Sequence, residues 1–295
     1  MKKIELAKCV IRKHSNIFMC LLCGATMNMN QSYSLICLNR HCFDLSKYGY
    51  IHLLPNPVKP AKYDKKLFES RHVICRSGFF AGMTREIAHI VRNEIMNAKP
   101  KRIHILDVGC GEGSHLADLA KNLSSAGSEI LGVGTDISKD AVRIASREYP
   151  GLIWCVSDLA RSPFRDRQFD VILSIFSPAN YSEFARMLDD EGVLIKVVPG
   201  RNYLKELRKI FYGQTGRQTY SNEHVVTHFS KHYNLIYTQQ LQYEKRLDLS
   251  ELNHLIHMTP LSWGKTEETM QKVLQSNISS ATIDVIVLVG KKRLH

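Results

Sequence analysis

Residues 103–113 read Ile-His-Ile-Leu-Asp-Val-Gly-Cys-Gly-Glu-Gly, and no other stretch limits the fold as tightly. The apolar run 103–108 suits a short buried strand. Gly109, Gly111 and Gly113 then allow a sharp turn and close approach of a ligand. Helical spacing resumes over 114–123, so a strand passes through a glycine turn into a helix whose first N–H groups are free. The alternation continues downstream. Residues 130–135 predict a strand and 139–148 a helix with Ser138 as its N-cap. Strands follow at 152–156 and 169–174, a helix at 181–188 and a strand at 193–198. Such alternation predicts an α/β fold, a parallel sheet with helices on both faces. A helical stretch from residue 67, broken at Ser77-Gly78, precedes it. A helix over 202–211 and strands over 235–240 and 281–289 follow it.

Three glycines alone would also suit a dinucleotide. The acids sharpen the reading. Asp107 stands two residues before Gly109, where a phosphate would be repelled and a cationic ligand with ammonium and sulfonium groups would be favoured. Asp136 ends the next strand, where a carboxylate can accept from ribose hydroxyls. Asp158 follows the strand after that, where an adenine amino group can be read. Over about residues 100–200 this pattern resembles the class I S-adenosylmethionine methyltransferases. The expected cofactor contacts are Asp107, Gly109, Gly111, Glu112, Gly113, Asp136, the neighbouring Ile137, and Asp158.

A second motif lies upstream. Cys20-x2-Cys23 and Cys37-x3-His41, separated by thirteen residues, have the spacing of a tetrahedral zinc site, and Cys42 beside His41 offers a four-thiolate variant. Eight cysteines in 295 residues are not a disulfide framework. With no secretory signal and no apolar run near the roughly 18 residues of a membrane span, the chain is expected to be soluble, in a reducing cytoplasm. The net charge of +12 is uneven: residues 1–65 carry ten basic and three acidic side chains. That asymmetry suits a polyanionic partner. The expected organisation is a basic N-terminal extension of uncertain order over 1–17, a zinc-binding module over 18–60, and a catalytic domain over 61–295.

Further residues carry a more specific resemblance. The knuckles, Asp44, Lys47-Tyr48-Gly49-Tyr50-x2-Leu53-Leu54-Pro55, Arg71, the glycine turn and Met258-Thr259-Pro260-x2-Trp263 resemble the RlmA family of 23S rRNA (guanine-N1)-methyltransferases over about residues 18–290. The resemblance implies a zinc module that helps bind an RNA hairpin and a Rossmann-like domain that binds S-adenosylmethionine. It implies action on one of two neighbouring guanines in a hairpin of 23S domain II; one branch of the family contributes to macrolide resistance. It places zinc on Cys20, Cys23, Cys37 and His41, and cofactor contacts on Gly111 and Glu112. Further contacts fall on Phe80, where a relative has Tyr, and on Tyr203, where a relative has His. Arg40, Lys47 and Lys59 are the candidate RNA contacts, and two copies holding one RNA, as a homodimer, is the implied assembly.

Methylating N1 of guanine requires removal of its proton or stabilisation of the O6-enolate. The segment 174–179 should flank the methyl acceptor, with Phe176 placed to stack on a base, and residues 258–263 should close over it. No acid or histidine stands out as the base. Two alternatives stay open at this level: a small-molecule methyltransferase with a purely structural zinc site, and a non-catalytic RNA-binding or assembly protein.

Overall fold

The computed structural model describes residues 3–54, 64–97, 102–124, 128–213 and 222–293. Helix α1 (Lys3–Lys13) leads into a small antiparallel sheet, β1 (Met27–Met29), β2 (Ser34–Cys37) and β3 (Cys42–Asp44). The short strand β4 (Ile51–His52) is followed by α2 (Lys65–Arg76), α3 (Ala81–Val91), β5 (Arg102–Val108) and α4 (Ser114–Ser124). Next come β6 (Glu129–Asp136), α5 (Lys139–Glu148), β7 (Ile153–Val156), β8 (Phe169–Ile175), α6 (Tyr181–Met187) and β9 (Leu188–Pro199). The chain continues through α7 (Lys205–Tyr212), α8 (Glu223–His232), β10 (Tyr233–Arg246), α9 (Leu249–Met258), α10 (Glu267–Leu274) and β11 (Ser280–Lys292).

Strands β4 to β11 form one sheet in the order β10-β11-β9-β8-β5-β6-β7-β4. All neighbours from β4 to β9 pair in parallel, and β11 is antiparallel to β9 and β10. This is the expected class I methyltransferase sheet. Its strand order reverses at β5, so the carboxyl ends of β5 and β8 part and leave a crevice.

The central strands are buried on both faces. In β9, Val193, Ile195 and Val197 enter one core and Leu194 the other; in β5, Ile103 and Ile105 oppose Leu106 and Val108. Two-sided burial makes these strands read as unbroken apolar runs. Helix α5 begins as expected, with the Ser138 hydroxyl accepting from the Ala141 N–H. Helix α2 ends at the expected break, where Gly78 takes φ +81°. The sequence reading missed α1, α8, α9 and α10. Of these, α9 had a legible start, since Asp248 and Glu251 form a capping box.

The N-terminal region is less separate than expected. Cys20, Met27, Leu35, Cys37, Ile51 and Leu53 share one core with Leu131, Val133, Ile153 and Cys155 of the large sheet. Strand β4 pairs with β7 through Ile51 and Cys155, and the Met19 N–H donates to the Pro163 carbonyl at 2.9 Å. Residues 3–13, whose order the sequence left uncertain, form a helix: Ala7 and Ile11 are buried, and Lys8 Nζ lies 3.8 Å above the Tyr33 ring. The expected boundary near residue 60 and the candidate Lys59 fall outside the described residues. Among the described residues, no helix is long and apolar enough to cross a membrane.

Candidate metal centre and cofactor crevice

Two tight turns build the metal centre. The Gly24 N–H donates to the Cys20 carbonyl at 2.8 Å, and the Arg40 N–H to the Cys37 carbonyl at 2.9 Å, with Gly24 and Arg40 both at positive φ. The turns bring the ligand atoms of Cys20, Cys23, Cys37 and His41 within 4.8 Å of one another. His41 Nδ1 is 3.5 Å from the sulfurs of Cys20 and Cys37, and the Cys23 and Cys37 sulfurs are 3.7 Å apart. A tetrahedron with Zn–S near 2.3 Å and Zn–N near 2.0 Å has edges of roughly 3.8 Å between sulfurs and 3.5 Å from sulfur to nitrogen. The four side chains therefore fit zinc by distance as well as by chemistry. The Ala25 N–H and the His41 side chain also hold the Cys23 thiol down to about 6, favouring the thiolate. Cys42 is outside the cluster and directs its sulfur toward Asp44 at 3.8 Å, so the geometry groups His41, not Cys42, with the three thiols.

The crevice at the carboxyl ends of β5 and β6 encloses about 340 Å³ and is lined by Gly109, Gly111, Asp136, Ile137 and Asp158. Asp136 Oδ2 accepts from the Gly111 N–H at 2.9 Å and Oδ1 from the Ser138 N–H at 2.8 Å. Each carboxylate oxygen retains a lone pair for a ligand hydroxyl. Asp158 Oδ1 is held by the Ala160 N–H at 2.8 Å. A Cβ on Gly109 would lie 2.6 Å from the Ser177 Cβ, so only glycine lets the 174–178 loop close against the turn. At Gly113 a Cβ would strike the Trp154 ring at 2.5 Å, so that glycine serves helix packing rather than ligand contact.

The floor discriminates between ligands. Glu112 is fully buried at the start of α4, where its carboxylate accepts from the Ser114 hydroxyl at 2.6 Å and the Ser114 N–H at 3.4 Å. A carboxylate therefore occupies the helix N-terminus on which a dinucleotide would seat its phosphates. Burial alone would raise the Glu112 pKa, but hydrogen bonding from His72 at 3.0 Å and the nearby Arg71 hold it below the ordinary range. Asp107, 1% exposed, has an Oδ2 with no hydrogen-bond partner among the described residues. Burial pushes its pKa up to about 7, with Arg71 pulling it down and Asp136 and Glu112 pushing it further up. Arg71 is the cation lining the crevice; its Nε lies 4.0 Å from a Glu112 carboxylate oxygen and has no hydrogen-bond partner among the described residues. A carboxylate oxygen and a guanidinium nitrogen without hydrogen-bond partners among the described residues, beside Asp136, fit a zwitterionic amino acid joined to a nucleoside, the form of S-adenosylmethionine.

A second cavity of about 500 Å³ opens from the first and shares Phe68, Arg71, Phe176, Ser177 and Pro178 with it. Phe176, at φ +53°, is held between Phe80 and Tyr203, with ring centroids 5.7 and 5.5 Å away. Left-handed backbone at a non-glycine residue is a cost that functional sites often carry. Met258, Thr259 and Pro260 close one side as expected, whereas Trp263 does not line the cavity.

The expected residues thus divide. Gly109, Gly111, Asp136, Ile137 and Asp158 line the first cavity, and Phe80 and Tyr203 line the second. Asp107, Glu112 and Gly113 lie outside both linings. The sequence reading assigned no role to Arg71 or Phe68, which come from α2, far from the glycine turn in the chain. Lys196 was also missed, although a lysine inside the apolar run 193–198 is an anomaly for a buried strand. Arg40 and Lys47 are exposed on the small module.

Residues 18–62 match the zinc-ribbon family described as "RlmA, N-terminal", and residues 105–192 match "Methyltransferase domain". The Bacillus subtilis (strain 168) protein named "Putative 23S rRNA (guanine-N(1)-)-methyltransferase YxjB" is 42% identical over 283 residues, covering 94% of this chain and 98% of its own. A Streptomyces fradiae protein named "23S rRNA (guanine(748)-N(1))-methyltransferase" is 28% identical, covering 86% and 88%. Among solved structures, one titled "Loganic acid methyltransferase with SAH" superposes with a TM-score of 0.51 at 10% identity, covering 80% of this chain and 99% of that one, a likeness of fold alone.

Proposed function

The chain belongs to the RlmA family of 23S rRNA (guanine-N1)-methyltransferases, and from that premise we propose that it methylates N1 of a guanine in a hairpin of 23S rRNA domain II. The observation that carries this reading is the pair of joined cavities. One is rimmed by the acids a cationic nucleoside needs; the other is walled by aromatic rings that suit an extruded base.

When bound, S-adenosylmethionine supplies a methyl group already activated on a sulfonium. The protein's task is alignment and proton handling. Asp136 would accept from the ribose hydroxyls and Asp158 from the adenine amino group, and Ile137 would offer the adenine an apolar wall. Arg71 would pair with the methionyl carboxylate, and Asp107, buried behind the lining, would favour the ammonium through its charge. Phe176 stacks on the guanine between Phe80 and Tyr203. Arg40, Lys47 and Lys59 contact the RNA backbone, and the exposed knuckle residues Leu22 and Leu38 lie in the same small module. Two copies holding one hairpin belong to the same reading, and sedimentation with and without the hairpin tests that point. A reducing, cytoplasmic setting follows from the ribosomal substrate.

Reverse-transcriptase stops on 23S rRNA from cells with and without the gene test the assignment, because N1-methylation blocks base pairing. A gene-dependent stop at a guanine of the hairpin is expected; no difference between the two samples would refute the RNA assignment. For the cofactor site, Asp136→Asn keeps the side-chain shape and removes the charge. It should weaken S-adenosylhomocysteine binding by about 10- to 100-fold, the value of one charge-assisted hydrogen bond of roughly 1.5–3 kcal/mol. Unchanged affinity by calorimetry would remove Asp136 from the site.

A further inference from the structure

Lys196 is 5% exposed, yet it lines the second cavity. Its Nζ donates to the Ser174 hydroxyl at 3.2 Å and to the Ser177 carbonyl at 3.1 Å. The Ser177 hydroxyl in turn donates to the Val108 carbonyl at 2.8 Å, beside the glycine turn. The amine therefore sits under the loop that separates the cofactor crevice from the aromatic cavity, where a methyl group must cross. An ammonium has three donors, and two have partners here. Among the described residues Lys196 forms no ion pair, and no carboxylate lines its cavity. The facing titratable groups are Arg71 from α2, Tyr181 from α6, Tyr203 beyond β9, and His224 and His228 from α8. On the adjacent β11, Leu288 is the partner of Lys196, and Asp284 is committed to the Asn202 N–H and the Gln240 amide.

The geometry points to Lys196 Nζ as the base that removes the N1 proton of the acceptor guanine, an assignment that rests on the function proposed above. A buried amine with no counter-charge favours its neutral form, and desolvation lowers the Lys196 pKa to about 8. The free amine takes the proton as the N1–H bond breaks. The electron pair left on N1 forms the bond to the methyl, whose former bond to sulfur leaves with its own pair. The resulting ammonium, donating to Ser174 and Ser177, returns its proton to water after release. His224 and His228 also line the cavity; His228 packs against His232 and Tyr181 at a third cleft that Pro178 borders, and neither histidine has a hydrogen bond to Ser174 or Ser177 among the described residues.

The test uses the full zinc-loaded chain, labelled S-adenosylmethionine and total ribosomal RNA from cells lacking the gene, so that no target base is presupposed. The position of the label scores the RNA assignment; its dependence on residue 196 scores the base. Lys196→Met and Lys196→Arg should each lower the single-turnover rate by about 100-fold or more. Both should bind S-adenosylhomocysteine within threefold of the parent by calorimetry, which shows that they fold. The parent's rate should rise with pH and level off above about 8, where the amine is free. A rate within threefold of the parent in Lys196→Arg would overturn the proposal, because a fixed cation cannot accept a proton. So would a flat profile from pH 6 to 9, or a profile abolished by His224→Ala with His228→Ala while Lys196→Met retains it. If the parent labels no RNA, the RNA assignment fails and the base falls with it; if label appears regardless of residue 196, only the base fails.

Discussion

Cys23→Ser, or removal of the metal by a chelator, is expected to lower the melting temperature of the whole chain by more than ten degrees and to release one zinc per chain. Cys23 lies at the surface, so its replacement by Ser costs little packing and tests the metal itself. A structural zinc contributes roughly 10–16 kcal/mol to the fold it holds, comparable to the roughly 5–15 kcal/mol that separates a typical native domain from its unfolded chain. The small module cannot lose that support privately. Cys20 and Cys37 share a core with the β6 and β7 strands, and β4 caps the sheet edge through β7. If the module's exposed face holds the RNA, as proposed, RNA binding should fail first, with cofactor affinity following as the sheet edge loosens. Calorimetric melts, metal analysis and titrations with hairpin and S-adenosylhomocysteine measure these effects. A zinc-free variant that melts with the parent and binds RNA normally would show the module to be independent of its metal.

Arg71→Met is expected to weaken S-adenosylhomocysteine binding by about 100-fold or more, because a carboxylate held by two charge-assisted bonds loses roughly 1.5–3 kcal/mol for each. Met keeps the apolar stem against Phe68 and removes the guanidinium that lines both cavities. Glu112 keeps its hydrogen bonds to His72 and Ser114 in the variant, so the stability loss should be smaller than the binding loss. 5′-Methylthioadenosine, which lacks the amino-acid end, should bind parent and variant alike. Equal weakening of both ligands would mean that Arg71 shapes the crevice instead of pairing with the carboxylate.

Much of the fold was legible before any coordinates. Residues 103–198 alternate between strand and helix because each strand is buried on two faces and each helix on one, so their apolar patterns differ. The C-terminal third was read poorly. Alternate residues of β10 reach solvent, and much of α8 and α10 is exposed, which leaves weaker patterns. For the site, the clustering of Cys20, Cys23, Cys37 and His41 and the placing of Asp136 and Asp158 on the crevice were legible, while the arrival of Arg71 and Lys196 at the cavities was not. The legible residues lie in short turns or at strand ends, where position along the chain nearly dictates position in space.

The sequence by itself determined the paired metal-ligand knuckles, the glycine turn and the acids at successive strand ends, because each is a local arrangement within a few residues. Only the tertiary structure showed that His41 rather than Cys42 clusters with the three thiols, and that the zinc module and the sheet share one core. It also decided that α2 delivers Arg71 to the crevice and that the 174–178 loop covers Lys196. The reason is physical: desolvation and charge pairing belong to what covers a side chain, and here the covering groups come from distant parts of the chain.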